Sequence, residues 1–157
     1  MKAPSLCLAL LLAAPAAADP LPDMAGAWTG SGWVRQAPGA AQESVRCRLN
    51  NVHDGGRARL RVRGACAVPG RRLDVDGALI VEGGSVSGFW SNPAGAGQAG
   101  ITGRIDGDAV RFAVRARDPA TGRDVSQIVT LRAGDGLSMR SEHRDDGSPM
   151  SSIAFSR

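Results

Sequence analysis

The sequence of 157 residues has little of the chemistry that most enzyme active sites need. It contains no tyrosine, one lysine and two histidines, with His53 in a Gly-rich turn and His143 near the C-terminus. A hydrolytic triad requires a nucleophile, a base and an orienting group in contact, and neither histidine is predicted to lie inside a strand. We therefore expect a protein that is not an enzyme.

The acidic and sulfur-containing side chains likewise indicate no catalytic pair and no metal site. Asp74 and Asp76 alternate on an outward strand face, and Asp145 and Asp146 share a turn, where carboxylates are usually solvated. If two thiols are joined in a disulfide, a tetrahedral zinc site has no ligand set. The sequence predicts neither a metal nor a cofactor.

The N-terminus has the layout of a secretory signal peptide. An apolar run from Leu6 to Ala14 is followed by three alanines and Asp19, a pattern typical of a small-residue cleavage site. The run is too short for a membrane span, which needs roughly 20 residues. Cys7 raises the alternative of a lipoprotein, but there the apolar run precedes the cysteine, and here most of it follows. We predict a signal peptide at residues 1–18 and a periplasmic or secreted protein that does not span a membrane.

Removal of the signal peptide leaves two cysteines, Cys47 and Cys66. An even pair in an exported chain predicts a disulfide, because the compartment is oxidising. A tight turn at Asp54-Gly55 would place Cys47 opposite residue 61 or 62. A direct link between the two cysteines therefore requires a longer, shifted loop or a bulge.

Amphipathic helices are missing from the remaining sequence. Apolar residues alternate with period two throughout, and Gly, Pro, Asn or Asp bound each segment. After a short arm at residues 19–25, the pattern predicts one all-β domain at residues 26–157, a single antiparallel up-and-down barrel of about 8–10 strands. A sandwich needs longer crossing connections, and only residues 92–100 could supply one; we interpret them as a loop at the barrel mouth.

Arginine is unusually concentrated in one predicted hairpin, formed by residues 43–52 and 57–66. Six arginines share its outer face, namely Arg46, Arg48, Arg57, Arg59, Arg61 and Arg63. Like charges on neighbouring strands destabilise a sheet. Either interleaved acids such as Asp74 and Asp76 offset them, or the face binds an anionic surface such as lipid headgroups or polysaccharide of the cell envelope. The exported location disfavours nucleic acid.

The inward positions of the predicted barrel alternate between glycine and large apolar residues. The candidate ligand-binding residues of the interior are Trp28, Val62, Leu79, Trp90, Ile101 and Phe112. Inward glycines occur at positions 30, 32, 64, 77, 88 and 103. Such glycines either bend strands at barrel corners or leave space for a ligand beside aromatic walls, and the sequence leaves both interpretations open.

The first and last predicted strands carry a family resemblance. The chain has Gly26-Ala27-Trp28 at the start of its first strand and Arg157 at the end of its last. This pairing resembles the calycin superfamily of lipocalin-like barrels, in which a Gly-x-Trp opens the first strand and a terminal arginine packs over the indole. The resemblance implies that Trp28 and Arg157 close one end of the barrel through a cation–π contact.

Two further barrel families are similar to parts of the chain. Nitrobindin-like haem barrels have ten strands and a haem-ligating histidine near the last one, but residues 151–157 contain no histidine, and His143 is interpreted as an exposed loop residue. Periplasmic inhibitors of secreted metalloproteases have a polar arm, an Ala-Gly-x-Trp run and a disulfide. Here Ala25 to Trp28 follows the arm, and Cys47 and Cys66 would be the pair.

These features predict an exported lipocalin-like protein that holds a small hydrophobic ligand inside its barrel. The alternative is a surface-acting binding protein. It would be either a protease inhibitor that uses residues 19–24 or a module that docks to an envelope component through the arginine hairpin.

Overall fold

The computed structural model describes residues 19–91, 97–117 and 122–157. Two single-turn 3-10 helices, Pro22–Met24 and Gly55–Arg57, accompany ten strands. The strands are β1 Gly26–Val34, β2 Glu43–Asp54, β3 Arg59–Val68, β4 Arg71–Glu82, β5 Ser85–Ser91, β6 Gln98–Asp106, β7 Ala109–Arg117, β8 Asp124–Ala133, β9 Leu137–His143 and β10 Pro149–Ser156. Within these ranges no helix is long and apolar enough to cross a membrane.

The strands form one closed antiparallel barrel in which every strand pairs with its neighbours in sequence. The barrel closes where β1 pairs with β10, with Gly30 opposite Phe155. The predicted all-β up-and-down barrel is confirmed, at the upper end of the expected strand number, and the sandwich alternative is wrong. The predicted loop at residues 92–100 is shorter, because β6 already begins at Gln98; residues 92–96 lie outside the described residues.

The hairpin between β2 and β3 is longer than its sequence predicts. The predicted turn around Asp54-Gly55 is wrong, because Asp54 pairs with Arg59 and the chain reverses through Gly55–Arg57 and Ala58. Ala58 has a positive φ of 42°, so it adopts the left-handed conformation that was expected of a glycine. The whole register therefore moves by several residues from the one that a two-residue turn would give.

The shifted register places Cys47 directly opposite Cys66. Their Cα atoms are 4.0 Å apart, and the two cysteines form a disulfide inside the barrel. The predicted disulfide is confirmed, and the longer turn satisfies the condition for a direct link between facing residues.

The space beside each inward glycine is filled by atoms of neighbouring residues. The ring of Trp90 lies over Gly77, and the ring of Phe155 lies over Gly30, so a side chain at either glycine would overlap an aromatic ring. At the other inward glycines a backbone carbonyl or Cα of the adjacent strand approaches closely, which fits strongly bent strands; they are Gly32, Gly64, Gly88 and Gly103. The packing therefore supports the corner interpretation for these four and ring contact for Gly30 and Gly77.

One end of the barrel is sealed by the N-terminal arm. Leu21 and Met24 are each 0% exposed and belong to the core. The Met24 carbonyl oxygen accepts hydrogen bonds from the Trp28 indole N–H, at 3.0 Å, and from the Asn51 amide, at 2.9 Å. We call this the closed end; the opposite end is the mouth.

The terminal arginine covers the same end from outside. The Arg157 guanidinium lies 4.8 Å from the centre of the Trp28 ring, which is the contact that the resemblance implies. Its Nη2 donates a hydrogen bond to the carbonyl oxygen of Ala25 at 3.3 Å. The last strand, the first strand and the arm are therefore joined at one point.

Candidate functional site

The inner surface of the barrel changes character between its two ends. Toward the closed end most inward side chains are buried, among them Leu49, Leu60 and Leu131, although Val81 and Ile105 are half-buried. Toward the mouth many inward side chains are only half-buried, as shown by Val34, Leu73, Val75, Ala116, Val125, Gln127, Ser141, His143 and Ser151. The mouth half is thus the part of the interior in which more of the inward side chains are partly exposed to solvent.

One side of the mouth is apolar. Leu73 and Val75 of β4 are half-buried and pack against the core, and Trp90 of β5 is 7% exposed. The Trp90 ring contacts the Phe112 ring, with their centres 5.2 Å apart. We call Leu73, Val75 and Trp90 the apolar wall, because side chains of this kind bind hydrocarbon groups by burial.

The opposite side of the mouth is polar. Gln127 of β8 faces His143 of β9, and Ser141 of β9 faces Ser151 of β10. The two serine hydroxyls are hydrogen-bonded at 2.7 Å. In the ring of ten strands β9 lies diametrically across from β4, so this polar wall, namely Gln127, Ser141, His143 and Ser151, faces the apolar wall.

The Gln127 amide is the least satisfied member of the polar wall. Its side chain points into the barrel and is half-buried, and within the described part of the chain it makes no hydrogen bond. An amide that is partly removed from water loses hydrogen-bonding free energy unless it finds a partner. The available partner in this position is a water molecule or a polar group of a ligand.

The two histidines are not where the sequence predicts them, because both lie in strands. His53 is in β2 near the closed end, and His143 is the last residue of β9. His143 Nδ1 lies 3.2 Å from a carboxylate oxygen of Asp146. Hydrogen bonds from Ser148, together with this weaker contact, hold the pKa of the Asp146 carboxyl below its usual range.

The six residues predicted to bind a ligand lie inside the barrel, but at different depths. Trp28, Leu79 and Phe112 lie toward the closed end, where they pack against other core residues. Val62 and Trp90 both pair with Gly77 at mid-height, and Ile101 pairs with Gly88 nearby. Of these six, Trp90 stands closest to the half-buried residues of the mouth, and the others form the packed floor beneath it.

Sequence reasoning missed the polar wall. Continuing the period-two pattern of β9 and β10 past their apolar residues would have placed Ser141, His143 and Ser151 on the inner face. Gln127 interrupts the apolar alternation of β8 between Val125 and Val129. A polar residue at an inward position was the available signal.

On the outside of the barrel, the hairpin register separates the arginines from one another. Arg46 and Arg48 lie opposite Ala67 and Ala65, so no two arginines of β2 and β3 face each other directly. Further along β3, Asp76 pairs with both Arg61 and Arg63. Of the two acids of β4, Asp76 therefore offsets the charge of two arginines of the predicted face, whereas Asp74 pairs with Arg72.

The rest of the predicted arginine face is heterogeneous. Arg57 lies in the turn, 3.8 Å from Asp54, and Arg59 is half-buried. The Arg61 guanidinium also lies 4.8 Å from the centre of the Phe89 ring, on which it stacks. These three arginines and Arg63 have an ion pair, a ring contact or partial burial, whereas Arg46 and Arg48 form no ion pair with any described residue.

A chain of polar contacts links β2 and β4 at the rim of the mouth. Glu43 accepts hydrogen bonds from Gln36, at 2.7 Å, and from Arg71. These bonds, the one from Gln36 first, hold the pKa of the Glu43 carboxyl below its usual range. Glu43 is therefore ionised at neutral pH and contributes to the rim as a carboxylate.

No protein-family model matches the chain, and no curated protein is significantly similar to it. Within the described ranges no three His, Cys, Asp or Glu side chains are grouped so that they could hold a metal ion. The fold itself defines the class: a closed antiparallel barrel of ten strands, which fits a lipocalin-like barrel in the general sense.

Proposed function

We propose that this protein is an exported, non-enzymatic binding protein of the calycin type that holds a small hydrophobic ligand in the mouth half of its barrel. The observation that carries the proposal is the change from buried to half-buried inward side chains at the mouth, in a barrel whose other end is sealed by Leu21 and Met24. A cup with a closed base and an accessible upper half is the form in which small barrels accommodate one ligand.

The two facing walls favour an amphipathic ligand over a pure hydrocarbon. The apolar wall offers Leu73, Val75 and Trp90 for the apolar body, and the polar wall offers an unpartnered amide at Gln127. A ligand with one polar group would satisfy that amide when it binds. Fatty acids and related small amphiphiles have this composition.

The protease-inhibitor alternative has less support. An inhibitory arm must extend from the barrel, whereas here Leu21 and Met24 are buried in the core and Met24 accepts two hydrogen bonds. Releasing residues 19 to 24 would expose this apolar surface and open the closed end. The arm is better explained as part of the barrel.

Titration with a fluorescent dansyl fatty acid tests the proposal. We expect saturable binding of one probe per protein, with fluorescence transfer from the three tryptophans to the bound probe. Gln127→Leu should weaken binding about fivefold, because it removes one hydrogen bond worth about 1 kcal/mol. The same variant should leave binding of a hydrocarbon probe without a polar group nearly unchanged.

The matched control is Thr130→Leu, which makes a polar-to-leucine change on the outer face of the same strand. This variant should bind the fatty acid as the unmodified protein does. Absence of saturable binding by the folded protein would contradict the proposal, and an equal loss in both variants would contradict the role of Gln127.

A further inference from the structure

The outer face of the barrel carries a shallow groove across β10, β1, β2 and β3. Its volume is about 1110 Å³. Small outward residues form its floor, namely Thr29, Ser31, Ala65, Ala67, Ala154 and Ser156. Three arginines border it, Arg46, Arg48 and Arg72, and we call the whole feature the arginine groove.

The arginine groove carries positive charge that the protein does not neutralise. Arg46 and Arg48 are exposed, and neither takes part in an ion pair with any described residue. Arg72 pairs with Asp74 at 2.8 Å, but both side chains are about three-quarters exposed, so the pair is weak. Among the described residues that line the groove, none is acidic.

The shape of the groove follows from the hairpin register. Arg46 and Arg48 lie opposite Ala67 and Ala65, so the neighbour of each arginine on β3 is a small residue rather than another long side chain. On the other side, β1 contributes only Thr29 and Ser31. Long cationic side chains therefore rise from a floor of small residues, which is a concave surface of uniform charge.

This concave form selects among anionic partners. A flat bilayer surface would contact the rims and not the floor, and the one large apolar residue among the described lining residues, Phe155, is buried in the barrel and cannot insert between lipids. An acidic peptide commonly binds a barrel or sheet by adding a strand to a free edge. Here each of the ten strands pairs with a neighbour on both sides over part of its length, so the closed barrel has no complete edge strand for that mode, and on β4 only residues 71–76 lack a paired residue on β5.

The floor suits a carbohydrate chain. The hydroxyls of Thr29, Ser31 and Ser156 can exchange hydrogen bonds with sugar hydroxyls, and the alanines leave room for pyranose rings. Guanidinium groups bind carboxylates and sulfates through paired hydrogen bonds, which makes arginine well suited to acidic sugars. We propose that the arginine groove binds an acidic polysaccharide, independently of any ligand in the mouth.

Isothermal titration of the exported chain with polygalacturonate tests this inference, with dextran as the uncharged polymer. We expect binding of polygalacturonate that weakens as salt is added, because salt screens exposed charges, and no binding of dextran. The double variant R46Q/R48Q should bind at least tenfold more weakly. Thermal melting would show that the variant is folded, as expected for two exposed side chains.

The matched control is R104Q/R140Q, which removes the same charge from exposed arginines on β6 and β9. It should change the affinity less than twofold. Equal weakening in the two double variants would overturn the inference, because net charge alone would then explain binding. An absence of polygalacturonate binding would also overturn it. The same holds if polyglutamate or phosphatidylglycerol vesicles bind more tightly than polygalacturonate and the R46Q/R48Q variant weakens that binding.

Discussion

We expect that removal of the Cys47–Cys66 disulfide lowers the free energy of unfolding by about 3 kcal/mol. The link joins residues 19 apart in sequence, and it therefore restricts the unfolded chain by an amount that corresponds to a loop of this length. It also lies inside the barrel, where both cysteines are buried next to the core. The variant to measure carries Cys47→Ala and Cys66→Ala together, by urea denaturation followed through tryptophan fluorescence.

The reduced form of the unmodified protein is the control for this measurement. It lacks the link but keeps both sulfur atoms, so it separates the effect of the cross-link from that of the lost side-chain volume. We expect the free energies of unfolding of the double alanine variant and of the reduced protein to agree within about 1 kcal/mol, because each alanine removes only one buried sulfur. A double variant whose free energy of unfolding is less than about 1 kcal/mol below that of the oxidised protein would contradict a stabilising role for the disulfide.

A second large effect is expected at Gly64. A Cβ atom there would overlap the backbone carbonyl oxygen of Arg48, and it would also meet the Leu49 side chain at 2.8 Å. Backbone cannot move aside as a flexible side chain can, so β2 and β3 would have to separate. We expect Gly64→Ala to lower the free energy of unfolding by about 3 kcal/mol, at the upper end of the usual cost of overpacking.

Gly100→Ala is the matched control, since a Cβ atom at that exposed position of β6 meets nothing within 4 Å. Its free energy of unfolding should change by no more than about 0.5 kcal/mol. Equal stability of the two variants in urea denaturation would show that β2 and β3 are not packed as closely as described.

The barrel itself could be predicted from the sequence because alternation and turn residues recur from end to end. Segments such as β4 and β7 place apolar residues on one face, and turn residues such as Gly70, Gly83 and Gly107 adopt the positive φ that their positions require. Period-two burial is a local property of each strand. The prediction of the strands therefore remains correct even when the predicted turns are wrong by a few residues.

The register of the arginine hairpin could not be predicted, since it depends on how many residues the turn uses. Ala58 adopts the left-handed conformation, which a glycine-rich sequence would assign to Gly55 or Gly56. The resulting shift decides which residue Cys47 faces, and whether Arg46 and Arg48 stand beside arginines or alanines. One unexpected backbone angle thus controls both the disulfide and the arginine groove.

The candidate site was only partly accessible to sequence reasoning for a different reason. Inward-facing positions follow from alternation, so Trp90 and Phe112 are predicted inside. The depth of each inward residue along the barrel and the position of the arm depend on tertiary packing. The sequence around Leu21 and Met24 does not indicate that these residues seal one end. The distinction between packed floor and accessible mouth therefore required the structure.

The proposed function requires that the mouth half of the barrel holds a small amphipathic ligand. Native mass spectrometry of the protein purified from its own host, followed by organic extraction, tests it most directly. We expect an adduct of one small molecule per chain and recovery of a compound with an apolar body and one polar group. A clean mass of the unliganded chain together with an empty extract would contradict it.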